Sequence, residues 1–202
     1  MNSTPEADNF EIRGRQFILW TRRLLVVAGS LALAYVGLTL AGARLYQAAA
    51  NRSLDAQIDT KVHGSNGSAA VVREGDVLGR IRIERLDLEV AVLEGTTAET
   101  LRLGVGHIEG TALPDEAGNI GIAGHRDTFF RALKDIRTND EIQLQTATGL
   151  NRYQVDWVRI VAPSEIGVLA PSAASTLTLV TCYPFYFIGS APRRFIVHAR
   201  KM

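Results

Sequence analysis

The chain has 202 residues, 47% of them hydrophobic, which is enough for one folded domain with additional segments. Its formal net charge is +1, from 22 basic and 21 acidic residues spread along the chain, so it lacks the basic footprint of a nucleic-acid binder. A single cysteine, Cys182, excludes an intrachain disulfide and any zinc site built on several thiolates.

Residues 24–43 (LLVVAGSLALAYVGLTLAGA) carry no charge. As a helix rising about 1.5 Å per residue they cover about 30 Å, the thickness of a bilayer's hydrocarbon core. Arg13, Arg15, Arg22 and Arg23 precede this run, against Arg44 and Arg52 after it. That bias predicts a cytoplasmic N-terminal tail over residues 1–23, a single membrane span over 24–43 and the rest of the chain outside the membrane. Small residues at 41–43 and 48–50 fit a cleavage site, but the apolar run is longer than a signal-peptide core, so an uncleaved anchor is expected. Residues 44–75 are polar and small and read as a stalk. Within it, 47–62 suit a helix and HGSNGS at 63–68 a flexible break, with His63 solvated.

From residue 76 the pattern is one of strands. VLGRIRI (77–83) alternates apolar and polar residues, and LEVAVLEG (88–95) is a second run. Residues 96–103 read as a short helix capped by Thr96 or Thr97, with Glu99 in its first turn. NIGIAGH (119–125) is a strand ending at Gly124, and DTFFRALKDI a short helix opened by Asp127 or Thr128. EIQLQTA and RYQVDWVRIVA flank a turn at 148–151, a hairpin signal, and STLTLVTC and RFIVHAR close the chain. Many short strands separated by turn residues indicate an all-β barrel or sandwich with small helical insertions.

Outside the membrane an unpaired cysteine is either deeply buried or kept for its reactivity. Cys182 ends a strand just before Tyr183-Pro184, and proline cannot continue a central strand, so the thiol stands at a strand terminus where a pocket is easily built. A nucleophilic thiol takes a histidine as its usual helper. His63 lies in the stalk, His107 in a loop-like stretch and His198 inside the last strand. His125 ends a strand beside Gly124, which favours it over His107. An acyl-transfer site also needs an oxyanion donor, for which Arg193 and Arg194 are candidates. Consecutive strand residues face opposite ways, so at most one points at the site, and the sequence alone leaves the choice open.

These residues resemble the sortase family. Its T-L-x-T-C pattern stands here as Thr176-Leu177 with Thr181-Cys182, and its terminal apolar strand as Arg194-Phe195-Ile196-Val197. Its G-N-x-x-I-A-G-H-R block stands as Gly118-Asn119-Ile120-Gly121-Ile122-Ala123-Gly124-His125-Arg126, and Gly106-His107 with Gly110-Thr111-Ala112-Leu113-Pro114 also matches. The resemblance implies an eight-stranded sortase-type barrel over residues 76–202, closest in kind to class D or class E. No Asp-Pro-aromatic lid motif stands in the stalk, against a pilus-polymerising class C enzyme. It further implies a catalytic triad of Cys182, His125 and Arg194, with Thr181 shaping the site. The implied reaction cleaves an LPxTG-like sorting motif through a Cys182 thioester and transfers the protein to an amine such as a cell-wall precursor, with no metal or organic cofactor. Two other readings stay open. One is a membrane-anchored, non-catalytic β-domain that binds an envelope partner. The other is a cysteine hydrolase that uses water as acceptor.

Overall fold

The computed structural model describes residues 5–62, 72–186 and 189–202. The expected break at 63–68 and His63 lie outside the described residues. The chain divides into two compact units, Met1–Arg44 and Leu45–Met202.

Helix α1 covers Pro5–Val62. Its stretch Leu19–Leu38 is long and apolar enough to cross a membrane, and no part of it is buried against protein. This stretch overlaps the 24–43 run over residues 24–38. The helical reading of 47–62 holds. Part of that stretch packs on the barrel: Ala50 is buried, and Gln47 Oε1 accepts from the Ala91 N–H at 2.8 Å while its Nε2 donates to the Leu103 carbonyl. A bare N–H at a sheet edge costs free energy when buried, and the Gln47 amide satisfies it.

The second unit is built on a closed barrel. Its strands are β1 (Val77–Ile83), β2 (Leu88–Glu94), β3 (Val105–His107), β4 (Asn119–Gly124), β5 (Glu141–Thr146), β6 (Leu150–Val161), β7 (Thr176–Tyr183) and β8 (Arg193–Lys201). They close in the order β1-β2-β3-β4-β7-β8-β6-β5. The β2–β3 and β4–β7 pairs are parallel and the others antiparallel. Closure gives every strand a neighbour on both sides, and where short β3 leaves β2 uncovered the Gln47 side chain pairs with Ala91. Alternation drives it: Ile81 and Ile83 are fully buried while Arg80 and Arg82 between and before them are not. The same period puts Ile120, Ile122, Leu177, Leu179, Val197 and Ala199 into one interior cluster. Each such aliphatic side chain contributes about 1.5–3 kcal/mol by leaving water.

Helix α2 (Ala98–Leu103) is capped by Thr97, whose Oγ1 accepts from the Thr100 N–H at 3.3 Å. The helix expected from Asp127 or Thr128 is shorter: a 3₁₀ turn over Arg131–Asp135, preceded by Phe130 with no side-chain cap. Phe130 and Leu133 are fully buried, so packing of these two holds the turn where a cap was expected. Further 3₁₀ turns are Glu84–Leu86, between β1 and β2, and Ile166–Leu169, in the β6–β7 loop. His107 was expected in a loop and instead ends β3, 2% exposed.

Candidate active site

Cys182 and Arg194 lie on the neighbouring strands β7 and β8, and His125 directly follows β4, the neighbour of β7 on its other side. Residues paired directly across adjacent strands share a face of the sheet. Cys182 is paired with Arg194, whereas Arg193 is paired with Tyr183. The parity question is thereby answered: Arg194 shares the face of Cys182, and Arg193 falls on the other. On the other side of β7, the parallel pairing with β4 ends at Gly124 opposite Thr181. His125 directly follows Gly124, as Cys182 follows Thr181. Leu177 and Leu179 fill the interior, so by alternation Cys182 and Arg194 belong to the outer face. Cys182 and Arg194 are half-buried and His125 exposed, so the outer face at this end of β7 is open to an incoming peptide.

Local contacts hold this arrangement. The Thr181 hydroxyl is buried and donates to the Gly124 carbonyl at 2.7 Å, fastening β7 to β4 one residue before Cys182 and His125. The Phe130 N–H donates to the His125 carbonyl at 3.0 Å, and the Phe130 ring packs where Gly124 has no side chain. Arg194 Nη1 donates to the Arg193 carbonyl at 3.1 Å and the Ala191 carbonyl at 3.3 Å, which tethers the guanidinium at the strand's start. A guanidinium carries five N–H donors, so the group retains capacity for an oxyanion. After Cys182, the chain to β8 is pinned by Arg126 Nη2, which donates to the Gly189 carbonyl at 3.0 Å, and by Lys134, which donates to the Tyr186 hydroxyl at 3.1 Å. Beneath it Tyr183, Phe185 and Phe195 pack as an aromatic cluster, Phe185 edge-on to Phe195 at 5.1 Å.

The competing histidines are occupied elsewhere. His107 Nδ1 faces Glu94 Oε2 at 2.9 Å, and Nε2 faces the Ala112 carbonyl and the Thr111 hydroxyl, each at 3.0 Å. A buried imidazole with both nitrogens engaged ties β2, β3 and the following loop together and offers nothing to a thiol. His198 stacks on Trp157 at 4.7 Å and pairs its Nδ1 with Asp156 at 2.8 Å. Within β7 the Thr178 hydroxyl makes a buried hydrogen bond to Asn119 Oδ1 at 2.7 Å.

A family model described as "Sortase domain" matches residues 81–202. Sortase D of Bacillus subtilis (strain 168) is 33% identical over 129 residues, covering 63% of this chain and 65% of that protein. Sortase SrtE1 of Streptomyces coelicolor is 32% identical, covering 54% of this chain and 37% of the relative. The chain thus spans from about a third to two thirds of the length of these curated relatives. Among solved structures, a Clostridium perfringens Sortase D5 transpeptidase superposes with a TM-score of 0.64 at 26% identity, covering 79% of this chain and 97% of that one. Sortase C from Clostridium perfringens SM101 superposes at 0.60 with 26% identity, covering 79% and 89%. With the family model spanning more than half of the sequence and the barrel matched along with it, the chain belongs to the sortase family.

Proposed function

We propose that this sortase is a cysteine transpeptidase with Cys182, His125 and Arg194 as its catalytic residues. The pairing of Cys182 with Arg194 across β7 and β8, with His125 one residue beyond the Gly124–Thr181 pair of β4 and β7, supports this reading. The Cys182 thiolate attacks the carbonyl carbon of the Thr in an LPxTG-like motif. Charge moves onto the carbonyl oxygen, and Arg194 donates hydrogen bonds to it. The C–N bond then breaks as His125, in its imidazolium form, protonates the departing amine. A thioester on Cys182 remains. An amine from a cell-wall precursor attacks it, His125 takes the proton, and the thiolate is released as the new amide forms.

The apolar helix supports a single-pass anchor, and the arginine bias before it a cytoplasmic N-terminus. On this reading residues 1–23 are the tail, 24–43 the span, 44–75 the connection and 76–202 the extracytoplasmic catalytic domain.

Incubating the protein with an LPxTG-like peptide and a small amine tests the proposal. Cleavage between Thr and Gly, with the amine joined to the Thr carbonyl and no product from Cys182→Ala, is the expected result. Cleavage to the free acid alone, at every amine concentration, would favour the hydrolase. No cleavage across a panel of motifs, with a thiol that also resists alkylation, would favour the binding module.

A further inference from the structure

Asn119 opens β4, in the same sequence block as His125, and takes no part in the chemistry described above. It is 4% exposed, and its amide is fully engaged. Nδ2 donates to the Val168 carbonyl at 3.1 Å and to the Ala170 carbonyl at 3.2 Å, while Oδ1 accepts from the Thr178 hydroxyl at 2.7 Å. Val168 and Ala170 flank Leu169, the last residue of the 3₁₀ turn in the β6–β7 loop. Thr178 sits one strand over, paired with Gly121. A Cβ at Gly121 would lie 3.0 Å from Leu169 Cδ2, so the missing side chain is what lets Leu169 lie against the sheet. Asn119 therefore grips the loop on both sides of the residue that rests on Gly121. Aspartate lacks the two N–H donors this grip needs, and a leucine lacks the acceptor as well.

The gripped turn borders the way to the nucleophile. From Thr178 and Gly121 toward the site, the same face carries Val180 and Ala123, both half-buried, and then Cys182. Thr178 and Cys182 are four strand positions apart, about 13 Å at ~3.3 Å per residue. An extended peptide whose carbonyl rests at Cys182 and which runs along this strip passes the turn.

We infer that Asn119, held in place by Thr178, is a positioning residue for the β6–β7 loop, fixing the wall that selects a peptide lying along this strip. The inference rests on the transpeptidase reading. Asn119 touches no reacting atom and acts through the loop.

The full chain in detergent micelles, with Asn119→Ala, Thr178→Val and Thr178→Ser, provides the test. Hydrogen exchange reports on the amides of 162–175, steady-state kinetics with an LPxTG-like peptide on selection, and iodoacetamide on Cys182 reactivity. Asn119→Ala and Thr178→Val are expected to speed exchange in the turn about tenfold and to raise KM about tenfold. The value of kcat and the alkylation rate of Cys182 stay near wild type, and Thr178→Ser, which keeps the hydroxyl, restores both loop protection and KM. Unchanged loop exchange in Asn119→Ala overturns the grip itself. Equal loss of protection in β4 and β7, or a fall in kcat at constant KM, overturns the positioning role. A wild type that turns over no peptide overturns the transpeptidase reading and the selection role with it, while the exchange result still decides whether Asn119 holds the loop.

Discussion

Replacing Thr181 by valine isolates the bond that fastens the two strands carrying Cys182 and His125. Valine keeps the shape and exchanges the hydroxyl for a methyl. Thr181 is 2% exposed, so no water replaces the lost donor, and the Gly124 carbonyl is left without the bond it accepts at 2.7 Å. A buried carbonyl stripped of its partner costs about 1–3 kcal/mol. At about 2 kcal/mol, a barrel domain of this size should melt roughly 4–8 °C lower. His125 and Cys182 each stand one residue beyond this bond, so loosening it also changes their separation, and misplacement of about 1 Å in an acyl-transfer site costs up to about a hundredfold in rate. Near-ultraviolet circular dichroism during heating reads the first effect, and the rate of acyl-adduct formation on Cys182 the second. Thr181→Ser keeps the hydroxyl and should recover most of the acylation rate. A valine variant with wild-type melting and acylation, or a serine variant as slow as valine, would refute the reasoning.

The register makes Arg194 and Arg193 unequal: Arg194→Ala should slow acylation by about 10²–10³-fold, as loss of an oxyanion donor does, while Arg193→Ala stays near wild type, both read by stopped peptide-cleavage assays. Gly124→Ala would place a Cβ 2.6 Å from Phe130 Cδ2 and 2.9 Å from Val105 Cγ1, and this overpacking should cost about 1–3 kcal/mol in denaturant titration. The hydrogen bond from Arg85 lowers the Asp140 pKa, with a further contribution from the Arg137 N–H at 2.7 Å. A depressed carboxylate pKa adds stability that is present above the unfolded value of about 3.9 and is lost as pH falls through the folded value. The melting temperature should therefore drop on acidification in that range, and Asp140→Asn should flatten this part of the profile.

Much of the barrel was legible because alternation writes the interior face directly into the sequence: Ile81 and Ile83, Ile120 and Ile122, Leu177 and Leu179 all fall where period two places them. The placement of Cys182 near the end of β7 and of His125 directly after β4 was legible in the strand pattern and in the Pro184 and Gly124 beside them. What the sequence did not show depends on partners far along the chain. The burial of His107 rests on Glu94 and Ala112, contributed by β2 and the loop after β3. The choice between the two arginines needed the β7–β8 register, which local pattern leaves undefined. The 3₁₀ turns at 131–135 and 166–169 are too short to show a helical period, and neither is opened by a capping side chain. Asn119 could have been noticed as an amide at the start of an apolar strand, but its loop partners lie 49 and 51 residues away.

Intact-mass spectrometry of the protein incubated with an LPxTG-like peptide, without an amine acceptor, addresses the central claim most directly. The account predicts a mass increase equal to the peptide up to its Thr, less water, located on Cys182 by fragmentation and absent from Cys182→Ala. An unmodified protein across a panel of motifs, with Cys182 inert to iodoacetamide, would contradict it.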